Sequence, residues 1–229
     1  MEFKIPQSYK AAIAEQRKLA QNVCIEDEEI LLKIVAGVDV AYSRRGKEAW
    51  AIVGIVTMEW ETFQPIEFVH AICPVSFPYL TGLLSYRELP VLIEALNKLQ
   101  SAPDLWMFDG AGIAHPRKIG LASHFGVLTN SVTIGVAKSR LVGEYEEPAI
   151  EKGSVSPLYF NSEQVGVVLR SRRAVKPLFI SPGHRISIEK AALLVLKACV
   201  RYRLPEPTRA AHCYVTEVRR KFVERGVEA

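Results

Sequence analysis

No two cysteines of this chain stand close together. Cys24, Cys73, Cys199 and Cys213 are scattered along 229 residues with no C-x-x-C spacing, which argues against a zinc ribbon and against a dithiol redox pair. Also missing is any apolar run long enough to span a bilayer, and the opening residues, with Lys4, Pro6 and Lys10, lack the apolar core of a secretory signal. No membrane contact and a reducing cytoplasm are therefore expected. Charge of one sign is not in excess: 29 Lys and Arg face 25 Asp and Glu, a formal +4, which permits a nucleic-acid partner without implying one. Internal repeats and low-complexity blocks are absent as well, which excludes solenoids and arrays. What is present, 49% hydrophobic and 24% charged residues, suffices for one substantial core, so a single domain over 1–229 is expected, working as a monomer.

Apolar residues at helical spacing between Ser8 and Glu26 predict an amphipathic helix. From Lys33 to Ala41 the chain alternates, with Ile34, Ala36, Val38 and Val40 on one face and Val35, Gly37, Asp39 and Ala41 on the other. Asp39 is thereby set over Gly37, where space is left. Ala49–Met58 and Ile66–Ile72 read as two more strands, the first entered through a polar turn at Ser43–Lys47, and three such strands in series make an antiparallel meander. Phe77–Ser85 is apolar yet punctuated by Pro78 and Gly82, a loop in need of a partner. Helices are predicted at Val91–Leu99 and Ile119–Leu128, and strands at Leu105–Phe108, Val132–Ala137, Val165–Arg170 and Leu178–Ile180, with a basic run at Arg170–Arg173. Ser187 caps a helix over Ile188–Val200, and Pro205, Pro207 and Thr208 begin a last one with Arg219, Arg220 and Lys221 in its final turn. The predicted fold class is α/β, a mixed sheet whose antiparallel three-strand meander is followed by parallel strands, with helices on both faces. A ribonuclease H-like architecture has that order.

Such a fold keeps its ligands where buried strands emerge. Asp109 closes the apolar run Leu105–Phe108, with Gly110 and Gly112 behind it for close approach of a ligand and His115 as a nearby titratable ring. Asp39 sits inside a strand otherwise made of Ile, Val, Ala and Gly, where an acid is disfavoured unless it has work to do. Carboxylates converging without cysteine favour a hard cation such as Mg²⁺, with Mn²⁺ as a substitute. Glu88 is ambiguous, because Ser85-Tyr-Arg-Glu88 is also a capping box. Pro90 argues for a helix start near Leu89 instead, which would release Glu88 to be a ligand. His212 and Lys138 read as an ordinary packing histidine and a solvated lysine on spacing alone.

Seven blocks then carry a resemblance: Ala36-Gly-Val-Asp39-Val, Pro78-Tyr-Leu-Thr-Gly-Leu-Leu-Ser-Tyr-Arg-Glu88, Phe108-Asp-Gly-Ala-Gly-Ile-Ala-His-Pro-Arg117, Gly120-Leu-Ala-Ser-His-Phe-Gly126, Thr133-Ile-Gly-Val-Ala-Lys138, Gly183-His-Arg185 and Tyr202-Arg-Leu-Pro-Glu-Pro-Thr-Arg209. In this order, over nearly the whole chain, they resemble the endonuclease V family of deoxyinosine-specific nucleases. The resemblance implies Asp39, Glu88 and Asp109 as metal ligands, His212 beside the metal or its water, and Lys138 on a phosphate. It also implies Tyr79 as the wedge that replaces an extruded base, and Leu80, Gly82, Leu84, Gly110, Gly112, His115 and Leu121 around a pocket for hypoxanthine. The expected reaction is Mg²⁺-dependent hydrolysis of the second phosphodiester bond 3′ to inosine in DNA, with RNA as a second substrate left open. Two departures stand out: Ala111 where many members carry a polar residue, and Thr81 in place of the second proline of the wedge loop. The same residues admit two other readings, an incision nuclease of the excision-repair type and a non-catalytic inosine- or junction-binding module.

Overall fold

The structure, a computed structural model, describes residues 3–227. Its strands are β1 (Ile34–Arg45), β2 (Glu48–Glu59), β3 (Pro65–Pro74), β4 (Leu105–Phe108), β5 (Thr133–Ala137), β6 (Val155–Phe160), β7 (Glu163–Leu169) and β8 (Leu178–His184). The helices are α1 (Tyr9–Ala20), α2 (Leu84–Leu96), α3 (Leu121–Thr129), α4 (Ile188–Ala198) and α5 (Glu206–Val227). All the strands join one eight-stranded sheet in the order β3-β2-β1-β4-β5-β8-β7-β6. The expected meander is there, β1 pairs with β4 and β4 with β5 in parallel, and beyond β5 the sheet turns antiparallel again. Among the described residues no helix is long and apolar enough to cross a membrane.

Period-2 alternation assigns each strand residue to one of two cores. Ala36, Val38, Trp106 and Phe108 face α2 and α3, packing with Leu89, Leu92, Leu121 and Phe125. Val35, Leu105, Met107 and Ile134 face the other way, toward Ala191 and Val195 of α4 and Ala211 of α5. Asp39 and Asp109 continue the second series, so both carboxylates emerge on the α5 side. The room expected over Gly37 is in fact taken by the start of α5, since a Cβ on Gly37 would lie 1.9 Å from the Pro207 carbonyl oxygen. That close approach brings α5 onto β1 and carries His212 to Asp39.

Several boundaries differ from the sequence reading. The first hairpin is tighter than expected, with β1 running to Arg45 opposite Glu48 and only Gly46 and Lys47 in the turn. β6 was not predicted, because Pro157 interrupts its alternation; the strand is at the sheet edge, where a proline is tolerated. α1 stops at Ala20, and it supplies the partner that the apolar loop needs, with Ala12 packed against Phe77, Leu83 and Tyr86. α2 starts at Leu84, not near Leu89, and holds Pro90 in its interior. The hydrogen bond that Pro90 cannot make is offset by burial of Leu89, Val91, Leu92, Ile93 and Ala95 around it. α5 begins at Glu206 and continues to Val227, so Thr208 is inside it, its hydroxyl turned back to the Pro205 carbonyl at 3.1 Å. Arg220 and Lys221 are therefore interior too, paired with Glu224 and Glu217 one helical turn away.

Candidate active site

Val38 pairs with Phe108 in the parallel β1–β4 ladder, and the next backbone bond runs from Asp109 N–H to the Val38 carbonyl at 3.1 Å. Asp39 and Asp109 thus leave adjacent strands side by side. One oxygen of Asp39 accepts from the Val40 N–H at 2.9 Å, and the other meets His212 Nδ1 at 2.7 Å. Asp109 is paired through Oδ2 with the ammonium of Lys138, just past the end of β5. Asp39, Asp109 and His212 each offer a ligand atom, and these atoms lie within 4.8 Å of one another. Burial raises the Asp39 carboxyl above its usual range and the charge of Asp109 raises it further, against the lowering influence of His212 and Lys138. Two crowded carboxylates with a histidine are a donor set that suits a hard divalent cation, whose charge would relieve their repulsion.

Glu88 is close to this group without joining it. It is 6% exposed within α2, and its Oε1 accepts from the Tyr42 hydroxyl at 3.0 Å. Burial pushes its carboxyl up to about 8; the Tyr42 bond opposes this, and the charges of Asp39 and Asp109 reinforce it. The capping-box alternative fails on geometry, since Leu83 occupies the N-cap position of α2 and Ser85 Oγ lies 2.9 Å from His124 Nδ1. Tyr42 went unnoticed in the sequence, although the period that puts Val38 and Val40 on the α2 face puts Tyr42 there as well.

Beside the carboxylates lies a pocket of about 90 Å³. Tyr79, Leu80, Gly82, Leu84, Gly110, His115 and Leu121 line it, as the resemblance implies, and so do Thr81, Ser85, Ala111, Gly120 and Leu141. Leu141 belongs to a loop after β5 and carries no local signal that could have found it. Gly82 has φ +76°, and its carbonyl accepts from Gln16 Nε2, His115 Nε2 and Arg117 Nη2, which locks the loop. His115 is consumed in this bracing. Its Nδ1 accepts from the Arg117 N–H at 3.2 Å, and burial, with Arg117 second, pushes the ring down to about 4, so it is neutral and has no spare nitrogen for a base. Gly112, unlike His115, does not line the pocket; its N–H donates to Ser181 Oγ at 2.8 Å, and a Cβ there would lie 2.1 Å from the Pro182 carbonyl oxygen. Gly110 differs, because its Cβ would meet nothing closer than Leu121 at 3.8 Å. The space beside it is not claimed by the protein.

α2 has no side-chain cap, and no partner for the N–H groups of Leu84 and Ser85 occurs among the described residues. Uncapped donors at a helix start are open to a ligand acceptor. Tyr79 is 71% exposed at the rim, between this pocket and a second cleft lined by Tyr42, Arg44 and Arg87. It is not a core anchor.

Residues 17–213 match the family model described as Endonuclease V. An endonuclease V of Nostoc punctiforme is 50% identical over 207 residues, covering 90% of this chain and 93% of that one. The crystal structure of endonuclease V from Bacillus subtilis superposes with a TM-score of 0.93 at 30% identity, over 97% of each chain. The endonuclease V of Ciona intestinalis, solved in complex with a 24mer DNA containing an inosine followed by a ribo-adenosine, matches with a TM-score of 0.78 at 27% identity, over 92% of this chain and 97% of that one.

Proposed function

The chain belongs to the endonuclease V family of nucleases, and from that membership we propose that it cuts one strand of inosine-containing nucleic acid at the second phosphodiester bond 3′ to the lesion. The products are a 5′-phosphate and a 3′-hydroxyl. DNA is the proposed substrate, in line with the Ciona protein having been solved in complex with inosine-containing DNA, and RNA carrying inosine is proposed as a second one. The observation that carries this reading is the adjacency of pocket and carboxylates, since Gly110 lines the one and directly follows Asp109 of the other.

An extruded hypoxanthine enters the pocket with its six-position carbonyl toward the uncapped N–H groups of Leu84 and Ser85. Adenine presents an amino group at that position and would leave a buried donor unpaired, a penalty of about 1–3 kcal/mol. Extrusion itself is easiest at a poorly paired base. Tyr79 stacks in the vacated space, and the exposure of its ring at the rim of the pocket supports that role.

Asp39 and Asp109 would hold Mg²⁺, or Mn²⁺ in its place, with Glu88 behind them as the third carboxylate. Bound there, the cation supplies stabilisation of the charge developing on the phosphoryl group. His212, held by Asp39 through Nδ1, has its other nitrogen available to move a proton of the attacking water. Lys138 exchanges its partner, Asp109, for a phosphate oxygen when the strand arrives. The single sheet that takes in every strand of the described residues supports one domain, and a monomer working in the cytoplasm is part of the same proposal.

Matched oligonucleotides carrying inosine or adenosine at one position, in DNA and in RNA, with Mg²⁺ and with chelator, test this reading. Incision confined to inosine and dependent on metal is expected; binding without any incision would establish a recognition module instead.

A further inference from the structure

The basic run Arg170–Arg173 has no part in the site, yet the fold leads from the site to it. Arg203 donates through Nη2 to the Lys138 carbonyl at 3.1 Å and through Nε to the Lys176 carbonyl at 2.7 Å. Burial lowers its pKa, and the nearby Asp109 carboxylate opposes this. The Arg203 carbonyl in turn accepts from Ser171 Oγ at 2.6 Å, and the Arg172 guanidinium reaches the Arg201 carbonyl. Arg172, Lys176 and Arg201 are therefore neighbours on one exposed face that begins at Lys138. Arg173 beside them meets Glu151 at 3.9 Å, and Lys176 and Arg201 use their side chains in no hydrogen bond or ion pair among the described residues. In a chain with a net charge of only +4, so local an excess of unpaired cations is an electrostatic footprint for phosphates.

We propose that the face formed by Arg172, Lys176, Arg201 and Arg203 holds the backbone of the cleaved strand on the 3′ side of the cut. The direction rests on the proposed function. A strand that leaves its base in the pocket and is cut 3′ to it runs 5′ to 3′ from Gly110 to Asp109, then over Lys138. Its continuation passes Arg203 and reaches Lys176 and Arg201. The contacts are to phosphates and carry no sequence preference.

The test uses Lys176→Gln/Arg201→Gln, a change that removes no side-chain hydrogen bond or ion pair among the described residues. Inosine duplexes whose cut strand extends about two or about ten nucleotides past the cut, roughly 7 or 34 Å at 3.4 Å per nucleotide, are the probes. Binding is measured in Ca²⁺ between about 50 and 200 mM salt. On the long probe the slope of log affinity against log salt should become shallower by about 1.8, one phosphate contact per cation, with affinity about tenfold lower at the low-salt end. On the short probe the variant and the unaltered protein should coincide. Equal losses on both probes, no loss on either, or a loss that appears only when the 5′ flank is lengthened would each overturn the assignment. Lack of inosine-dependent incision by the unaltered protein would overturn the proposed function, while the binding comparison, made without turnover, still decides this one.

Discussion

Asp39 and His212 are 173 positions apart in the chain, and Nδ1 of the histidine lies 2.7 Å from Oδ2 of the aspartate. The contact orients the ring from α5 toward the open side of the cleft. His212→Ala should therefore slow single-turnover incision about a hundredfold, the scale of one positioned acid–base group. Affinity for an inosine duplex in Ca²⁺ should change far less, because the base is held elsewhere. The reverse pattern, lost affinity with a surviving rate, would remove His212 from the chemistry.

Replacing either aspartate should separate chemistry from stability. Asp39→Asn and Asp109→Asn are each expected to lower incision by about a thousandfold or more. Neither should destabilise the metal-free protein. Asp39 is buried beside a like charge and its carboxyl is held above the usual range, so ionising it costs the folded state stability as pH rises past the ordinary carboxylate value. At neutral pH Asp39→Asn should leave the metal-free melting temperature equal or higher. Near-normal turnover in either variant, or a clear drop in melting temperature, contradicts the assignment.

Both aspartates were legible in the sequence because their signals are local: an acid inside an apolar strand, and an acid closing a buried four-residue run before Gly110. The boundary of α2 was not, because a general rule about proline was outweighed by burial on both sides of Pro90. β6 was hidden by Pro157, whose cost vanishes at an edge that local pattern cannot identify. The glycine at position 37 was recognised as leaving space, while its occupant, the start of α5, comes from 170 residues further along the chain. The roles of Tyr79 and the pocket loop rested on family resemblance; the exposure of Tyr79 and the bracing of Gly82 by His115 needed coordinates.

Glu88 gives the chain a pH signature. Burial, with Asp39 and Asp109 adding to it, holds its folded pKa at about 8 against an ordinary value of 4.5. Between those values the native state keeps a proton that the unfolded chain has released, so metal-free stability falls as pH rises through that window and levels off above it. Glu88→Gln, which keeps the acceptor for Tyr42 and cannot ionise, should flatten the fall and melt higher at pH 8. It should also weaken activation by Mg²⁺. Chemical denaturation from pH 5 to pH 8.5 without metal checks the first part; parallel curves for the two proteins would mean that Glu88 is already ionised.

Tyr79 separates recognition from folding most cleanly. A large aromatic truncated in a core costs about 3–5 kcal/mol. At 71% exposure Tyr79 has little to lose, and Tyr79→Ala should change stability by no more than about 0.5 kcal/mol. Its ring matters when a base leaves the duplex, since a base–aromatic stack contributes about 1–3 kcal/mol and would offset part of the extrusion cost. Inosine in duplex DNA should accordingly be bound and cut less well by the variant. The loss should shrink on single-stranded inosine DNA, where little stacking has to be broken. Melting curves alongside incision rates on the two substrates make the comparison. Equal losses on duplex and single strand would mean that Tyr79 touches the base without acting as a wedge, and a large drop in melting temperature would return it to the scaffold.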